Sequence, residues 1–198
     1  MITLYHSPQS RSASILWLLE ELAVPYDIKI VGFRRADGTG AKDPANPHPH
    51  GKVPAIKDGE ELIFETSAIA LFLTDKYPAK KMGPRVGEPG RGEYLSWLAY
   101  RSGVLEPAIL CRRFEVQHVY GAMGWAPADE VEEVLNQHLK TRSYFLGDAF
   151  SSVDILLGGS LNFLMTAKMI EETPLLAAYT ARIMDRAAYR KMLERDKK

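Results

Sequence analysis

The sequence predicts two domains of different fold class, an α/β domain followed by an all-helical domain. A strand, a helix and a second strand follow one another within the first 31 residues. A strong hairpin signal, Asp58-Gly59, lies between two further strand-like runs. After residue 92 the apolar residues recur at helical spacing. With 198 residues, of which 46% are hydrophobic, the chain can bury one large core or two smaller ones.

Periodicity and turn residues define the first β-α-β unit. Residues 2–5 form a short strand, and residues 6–9 are expected to form the turn that follows it. A helix is expected to begin close to Ser10, and Pro25 ends it before a second strand over residues 26–31. So short a strand-helix-strand segment predicts a right-handed connection between parallel strands. The residues that recur on one buried face of the helix are Ile15, Leu18, Leu19 and Leu22.

A β-hairpin and a helix complete the first domain. Residues 53–57 and 62–64 flank Asp58-Gly59, which favours a type I′ turn with positive φ at both central residues. Residues 66–77 then show the apolar spacing of a helix. The resulting order, β-α-β-β-β-α, predicts a thioredoxin-like domain with a mixed sheet.

The domain boundaries follow from a segment rich in proline and glycine. We expect the thioredoxin-like domain to cover residues 1–78, a linker to cover 79–92, and the all-helical domain to cover 93–198. A long helix is expected from about Arg91, with a kink at Pro107.

A helix start is also predicted late in the chain. Ser151 and Asp154 have the spacing of a capping box, in which Ser151 is the N-cap and Asp154 accepts from its amide. In the helix that follows, Gly158-Gly159 would permit close contact with another helix.

Composition argues against several functional classes. Lysine plus arginine and aspartate plus glutamate both number 25, so no net charge attracts nucleic acid or an anionic membrane. No apolar run approaches the ~20 residues of a membrane span, and the first residues lack a signal-peptide pattern. Cys111 is the only cysteine, which leaves no intrachain disulfide or CxxC pair. We therefore expect a cytoplasmic protein without nucleic-acid or membrane partners.

Several motifs occur together in a specific order and spacing. They are Ser10-Arg11-Ser12 with Leu16-Trp17-Leu18-Leu19-Glu20-Glu21-Leu22, Asn46-Pro47, Gly51-Lys52-Val53-Pro54-Ala55-Ile56, Glu65-Thr66-Ser67-Ala68-Ile69, Phe145-Leu146-Gly147-Asp148, Phe150-Ser151-Ser152-Val153-Asp154-Ile155, and Pro174-Leu175-Leu176-Ala177-Ala178-Tyr179 with Arg182-Ile183. Together they resemble the cytosolic glutathione transferases, in particular bacterial members of the serine-type classes, over nearly the whole chain. The resemblance implies glutathione as a co-substrate, a small hydrophobic electrophile as the second substrate, and a homodimer.

The resemblance implies a set of glutathione-binding residues. In that family the proline matching Pro54 is cis, and the residue before it, here Val53, offers its main chain to the cysteinyl part of glutathione. Glu65 and Thr66 match the positions that hold the γ-glutamyl end, where a helix N-terminus and a hydroxyl suit a carboxylate and Glu65 suits the ammonium. Lys52 is a candidate for the glycine carboxylate. The alternatives are a trans proline that starts an edge strand, a helix cap at Glu65 and Thr66, and a solvated lysine.

Two histidines of the preceding loop have weaker assignments. His50 is a second candidate for the glycine carboxylate, or an ordinary loop residue. His48 and His50 lack a cysteine or acidic partner at ligand spacing, so we expect no metal site.

The catalytic task that the resemblance implies is to keep the glutathione thiol ionised, because the thiolate is the nucleophile. A thiol of pKa ~8.5 is about 3% ionised at pH 7, and lowering that pKa by ~2 units takes ~2.7 kcal/mol. One hydrogen bond to a charged group supplies ~1.5–3 kcal/mol. Ser10 is the first candidate donor, Ser7 the second and Tyr5 the third.

The residues around Ser10 depart from the family pattern. Counting back from Pro25-Tyr26, the activating serine of the serine-type classes falls on Gln9, which we include among the glutathione-binding residues. The alternative is that Ser10 only caps the helix, so that backbone N–H groups hold the thiolate or the protein is inactive.

The second-substrate pocket is expected in the first helices of the second domain, with Tyr100, Leu105 and Phe114 as its candidate residues. The leading hypothesis is an enzyme that adds glutathione to an electrophilic carbon or uses it to reduce organic peroxides. The main rival is a non-catalytic binding or regulatory protein on the same fold, similar to the stringent-starvation proteins. A third reading, a glutathione-dependent dehalogenase or isomerase, changes the substrate but not the thiol site.

Overall fold

A mixed four-stranded sheet in the order β2-β1-β3-β4 forms the centre of the N-terminal part. In this computed structural model, which describes residues 1–197, strand β1 (Ile2–His6) runs parallel to β2 (Tyr26–Ile30). It runs antiparallel to β3 (Ala55–Asp58), which pairs with β4 (Glu61–Phe64). The parallel pair requires a crossover, and helix α1 (Ser12–Leu22) supplies it.

Helix α1 and helix α2 (Thr66–Lys76) bury the apolar residues that the sequence pattern singled out. Ile15, Leu18 and Leu22 have no exposed surface. Helix α1 ends where Ala23 takes a left-handed conformation and donates to the carbonyls of the last turn. The observed order β1-α1-β2-β3-β4-α2 confirms the predicted thioredoxin-like class with a mixed sheet.

The hairpin turn lies one residue later than predicted. Asp58 pairs with Glu61, so Gly59 and Glu60 are the two turn residues. Gly59 has a φ of 62°, whereas Glu60 is not among the residues with positive φ. Positive φ at the first central position only is the type II′ pattern, so the predicted type I′ turn is wrong. Asp58 was predicted as a turn residue, but it pairs with Glu61 and is therefore the last residue of strand β3.

The rest of the chain is helical, which confirms the predicted second fold class. Its helices are α3 (Arg91–Tyr100), α4 (Glu106–Arg113), α5 (Ala128–Leu139), α6 (Gly159–Thr166), α7 (Pro174–Met184) and α8 (Ala187–Arg195), with a short 3₁₀ turn at Pro78–Lys80. A π-helical turn, Arg101–Leu105, separates α3 from α4, and Pro107 follows in the first turn of α4. Proline lacks an amide hydrogen, which explains an irregular ladder at the predicted kink.

The predicted capping box is confirmed. Asp154 accepts from the Ser151 amide at 2.9 Å and from its hydroxyl at 3.0 Å, while Ser151 Oγ accepts from the Val153 amide at 3.3 Å. Asp154 is fully buried and also accepts from the Phe145 amide and the Tyr179 hydroxyl. Burial raises the pKa of Asp154, and these four donors oppose the rise.

The chain divides into two compact units whose boundaries differ from a simple N-terminal and C-terminal split. Residues Met1–Lys80 join the segment from Asp185 onward in the first unit, and Lys81–Met184 form the second unit. Helix α8 packs on α1 within the first unit, where Arg186 pairs with Glu21 at 2.5 Å. The predicted boundaries at residues 78 and 92 stay a prediction.

No helix within residues 1–197 is both long enough and apolar enough to cross a membrane.

Candidate functional site

Three segments meet at one edge of the sheet. The turn after β1 follows His6, and Tyr5 is paired with Ala55, the first residue of β3. Val53-Pro54 therefore lies beside that turn. Phe64 is also paired with Ala55, so Glu65 and the start of α2 reach the same edge. This register brings together the segments of Ser7 to Ser10, of Val53-Pro54 and of Glu65-Thr66, which are distant in sequence.

His6 lies at the carboxyl end of β1, in the strand rather than in the predicted turn. It pairs with Ile30 and has no exposed surface. Alternation places its side chain on the same face as Leu4, which is also fully buried. The expected turn over residues 6–9 was one residue too early, because His6 is still part of the parallel ladder.

Serine hydroxyls and His6 form a connected cluster at the start of α1. Ser12 Oγ lies 2.7 Å from His6 Nδ1 and 2.8 Å from Ser10 Oγ. Ser10 Oγ also lies 2.7 Å from the Ser7 carbonyl and accepts from the Ser12 amide at 3.2 Å. The Ser7 amide donates to Ser12 Oγ at 3.2 Å. Ser10 is half-buried, whereas the Ser12 hydroxyl is fully enclosed.

Asp196, the residue at the end of α8, lies against this cluster within the first unit. Its carboxylate accepts from the Gln9 amide at 3.1 and 3.2 Å. One carboxylate oxygen lies 3.2 Å from His6 Nε2 but outside the direction of its N–H, so this contact is electrostatic and leaves Nε2 without a hydrogen bond. Burial lowers the pKa of His6, an effect that Asp196 partly opposes. Burial also raises the pKa of Asp196, and the Gln9 amide and His6 oppose that rise.

Gln9 has a strained backbone conformation with a φ of 55°. That conformation turns its amide toward Asp196, so a carboxylate of the chain already occupies this N–H group. The Gln9 side chain is exposed. Its predicted part in glutathione binding stays a prediction.

The loop before β3 presents its main chain at the same sheet edge. The Val53–Pro54 peptide bond is cis, as the resemblance implied. Asn46 is buried and donates to the Lys52 carbonyl at 3.0 Å, which fixes the loop beside Val53. Across residues 1–197, the Val53 N–H and C=O form no hydrogen bond with the chain. Both groups are therefore available to an extended ligand.

Glu65 and Thr66 lie at the start of α2. Glu65 has a φ of 70°, which is a costly backbone conformation for a residue other than glycine. Residues with such strained conformations are concentrated at the ligand sites of proteins. The Glu65 side chain is 66% exposed, and one carboxylate oxygen lies 3.8 Å from Nε2 of the buried His48. Thr66 is the first helical residue and is buried. The first turn of α2 adds N–H groups that no helical carbonyl accepts.

His48 is fixed by its neighbours. Its Nδ1 accepts from the His50 amide at 3.1 Å, and its ring packs edge-on against Phe64 at 5.3 Å. Burial lowers the pKa of His48, and Glu65 partly opposes that effect. His50 and Lys52 are exposed at the rim of the loop. A neutral His48 supports the position of Glu65 without neutralising it.

Tyr5, the third candidate for thiol activation, packs inside the sheet. Its ring belongs to a buried cluster with Val31, Val53 and Ala55 and lies under the Lys29 ammonium at 5.6 Å.

The three candidates for the second-substrate pocket belong to the second unit and differ in exposure. Tyr100 is half-buried at the end of α3, and burial raises the pKa of its phenol. Leu105 has no exposed surface, and Phe114 is 71% exposed after α4. Their assignment to the pocket stays a prediction.

Among the described residues, no group of three or more His, Cys, Asp or Glu side chains is arranged to hold a metal ion.

Sequence reasoning did not select His6, Ser12, Asp196 or His48 as functional candidates. Ser12 lies in the motif Ser10-Arg11-Ser12. The alternation of Ile2, Leu4 and His6 along β1 indicates a buried histidine. Asp196 carried no signal, because 187 residues separate it from Gln9.

Two family models match the chain in sequence order. One is described as "Glutathione S-transferase, N-terminal domain" and matches residues 1–75. The other is described as "Glutathione S-transferase, C-terminal domain" and matches residues 128–187.

Similar proteins come from several kingdoms. Glutathione S-transferase 3 of Schizosaccharomyces pombe is 28% identical over 172 residues, which cover 78% of this chain and 70% of the relative. A glutathione S-transferase of Hyoscyamus muticus is 26% identical over 184 residues, which cover 85% of this chain and 86% of the relative.

Solved structures of bacterial transferases share the fold. A glutathione S-transferase from Actinobacillus pleuropneumoniae superposes with a TM-score of 0.82 at 24% identity, and the match covers 100% of this chain and 93% of that one. A sphingomonad glutathione S-transferase complexed with glutathione superposes with a TM-score of 0.75 at 26% identity, with 98% of each chain covered.

Proposed function

Because the chain belongs to the cytosolic glutathione transferase superfamily, we propose that it binds glutathione and transfers the thiolate to small hydrophobic electrophiles. One observation carries the proposal: the β1-β3-β4 register brings a row of serine hydroxyls, the unpaired Val53 main chain and the start of α2 to one sheet edge. A tripeptide with a thiol at its centre needs these three kinds of contact.

Each part of glutathione has a complementary partner at this edge. The cysteinyl amide and carbonyl would pair with Val53, as a short addition to the sheet. The γ-glutamyl carboxylate suits Thr66 and the first turn of α2, and the ammonium suits Glu65. Lys52 and Gln9 complete the proposed set, with Lys52 near the glycine carboxylate. This set recognises the peptide at both ends, so it explains binding more directly than catalysis.

The thiol lies between these ends and has to be ionised by the serine turn. Ser10 is the proposed donor, because it is the half-buried member of the cluster and its hydroxyl can turn from the Ser7 carbonyl to a sulfur atom. A hydrogen bond to the thiolate supplies ~1.5–3 kcal/mol, which matches the ~2.7 kcal/mol that a 2-unit fall in the thiol pKa requires. Ser7 is the second candidate.

The second substrate, the assembly and the cellular location are further parts of the proposal. Tyr100 and Phe114 would contact an apolar electrophile or an organic peroxide, while Leu105, which has no exposed surface, would pack behind them. Two copies of the chain would form a homodimer in the cytoplasm. These features are typical of the family, and the aromatic side chains on α3 and after α4 support an apolar substrate.

Glutathione titration calorimetry together with a conjugation assay on an activated nitroaromatic tests the proposal. We expect heat of binding and turnover that saturates with glutathione. Absence of heat at millimolar glutathione would overturn the binding site. Binding without turnover of the nitroaromatic or of an organic hydroperoxide would instead favour a regulatory protein, an alternative that the Gln9-Asp196 contact supports by occupying an amide near the thiol site.

A further inference from the structure

A continuous row of polar atoms runs from the sheet edge into the interior of the first unit. It begins at Ser10 Oγ, passes Ser12 Oγ at 2.8 Å and reaches His6 Nδ1 at 2.7 Å. On the far side of the imidazole, Nε2 faces the Asp196 carboxylate at 3.2 Å. His6 and Ser12 have no exposed surface, so bulk water does not reach the inner part of this row.

We propose that this row is a proton relay, in which His6 accepts through Ser12 and Ser10 the proton that glutathione loses on binding. The inference rests on the proposed function and adds the destination of the thiol proton. Ser10, which would touch the sulfur, is the catalytic residue of the scheme. Ser12, His6 and Asp196 are positioning residues that act through Ser10.

The relay balances without any further reactant. The S–H bond breaks, the sulfur keeps the electron pair, and its proton passes to Ser10 Oγ. The proton of Ser10 passes to Ser12 Oγ, and the proton of Ser12 forms a new N–H bond at His6 Nδ1. The products are a thiolate and an imidazolium beside a carboxylate. When the thiolate attacks an electrophile, the imidazolium returns its proton through Ser12 and Ser10 to the leaving group, or to the negative charge that forms on the electrophile.

The surroundings of His6 suit an acceptor. Burial lowers the pKa of His6, so the ring is neutral near neutral pH, and in its tautomer with the hydrogen on Nε2 the Nδ1 atom can accept. The Asp196 carboxylate, 3.2 Å from Nε2, favours the tautomer with a hydrogen on Nε2 and stabilises the imidazolium that forms by electrostatic attraction, without a hydrogen bond.

The other titratable groups on the helices around His6 are engaged elsewhere. On α1, Glu20 pairs with Arg195 at 3.1 Å and Glu21 pairs with Arg186. On α8, Tyr189 packs edge-on against Trp17 at 4.8 Å, and burial raises the pKa of its phenol, so it stays neutral. Asp196 is therefore the charge that acts on the imidazole.

Ser12→Ala interrupts the relay while Ser10 remains in place. We expect the apparent pKa of bound glutathione, followed by the ultraviolet absorbance of the thiolate, to rise by about one unit, with kcat/KM near neutral pH about tenfold lower. Well above the thiol pKa of ~8.5 the two profiles should converge, because the thiol then ionises without a relay. Ser14→Ala is the matched control, since Ser14 lies in the same turn and bonds the Arg11 carbonyl.

An Asp196→Asn substitution tests the far end of the row, with Glu194→Gln as a control of equal charge change on the same helix. We expect a smaller rise of the same apparent pKa for Asp196→Asn and none for Glu194→Gln. A profile for Ser12→Ala parallel to that of the wild type at every pH would overturn the relay and leave Ser12 a structural role. Calorimetry distinguishes failure of the relay from failure of the proposed function. If the proposed function is wrong, the wild type itself gives no heat of glutathione binding, whereas failure of the relay alone leaves that heat unchanged.

Discussion

Ser10 is one of the three serines in the hydrogen-bonded cluster at the start of α1, with Ser7 and Ser12, and its assignment depends on its position in that cluster. Ser12 is enclosed and bonds His6, and the Ser7 side chain is buried. Ser10 combines partial exposure with two acceptors for its hydroxyl, the Ser7 carbonyl and Ser12 Oγ. A hydroxyl that can exchange acceptors can also turn toward a bound thiolate.

Ser10→Ala should lower kcat/KM by about 10- to 100-fold, because it removes a hydrogen bond worth ~1.5–3 kcal/mol to the thiolate. The Kd for glutathione should change by less than about threefold, since the peptide ends are held elsewhere. Steady-state kinetics and calorimetry measure the two quantities. Ser7→Ala is the comparison, and a larger loss in that variant would transfer the role to Ser7.

His48 makes the loop beside Glu65 sensitive to acid. Burial lowers its pKa, so the folded state binds a proton less readily than the unfolded state, whose histidine pKa is ~6.5. The stability is fully present above that pH and decreases as the pH falls through it toward the folded pKa.

His48→Asn should remove this sensitivity while an oxygen still accepts from the His50 amide. Between mildly alkaline and mildly acidic pH, the free energy of unfolding measured with urea should fall more in the wild type than in the variant, by at most ~1.4 kcal/mol per pH unit. The exposed His50→Asn is the matched control and should keep the wild-type dependence. Equal slopes for wild type and His48→Asn would refute the prediction.

The second unit contains the π-helical turn Arg101–Leu105 and a further one, Asp154–Gly158, just before α6. Each contains a glycine, and the surroundings of the two glycines differ. A Cβ at Gly158 would lie 2.2 Å from Ile183 Cδ1 and 2.8 Å from the Tyr179 hydroxyl, which are residues of α7. This supports the predicted close helix contact at Gly158. A Cβ at Gly103 would meet nothing within 4 Å.

Gly158→Ala should therefore lower the free energy of unfolding by about 1–3 kcal/mol, because a well-packed contact cannot absorb a methyl group. Gly103→Ala, the matched control, should be neutral or stabilising by about 0.5–1 kcal/mol. Urea unfolding followed by circular dichroism measures both. A Gly158→Ala variant as stable as wild type would show that α7 moves aside at small cost.

The first unit joins two segments that are distant in sequence, because α8 follows the second unit and packs on α1. Trp17 is 2% exposed under Tyr189, and Met192 is 5% exposed. The long sequence separation of these contacts delays closure of this core until the end of the chain is available.

Deletion of the segment from Asp185 onward should therefore expose α1 and reduce its protection against amide hydrogen exchange. Peptides of α1 and β1 should lose protection by at least about tenfold, while peptides of α5 in the second unit serve as the internal comparison. Tyr189→Ala, which changes only one side chain of α8, should cause a smaller loss of amide protection in the same peptides. Unchanged protection in α1 would show that α8 contributes no stability there.

The sequence by itself determined the fold class, the element order and the capping box. These depend on local periodicity, on turn residues and on spacing within about twenty residues, which short-range physics records in the sequence. The same local evidence placed one hairpin turn a residue early, because strand register is set by pairing across the sheet. The residues of the proposed glutathione-binding edge came instead from the resemblance of their motifs to a known family, and their roles stay a prediction.

Only the tertiary structure decided what surrounds the Ser7 to Ser10 turn. The β1-β3-β4 register joined that turn to Val53 and Glu65, and the return of α8 brought Asp196 to Gln9 and His6. Burial then set the direction of both pKa shifts, and the contact between the carboxylate and the imidazole opposes each shift. Sequence spacing carries no record of such a contact between residues about 190 positions apart.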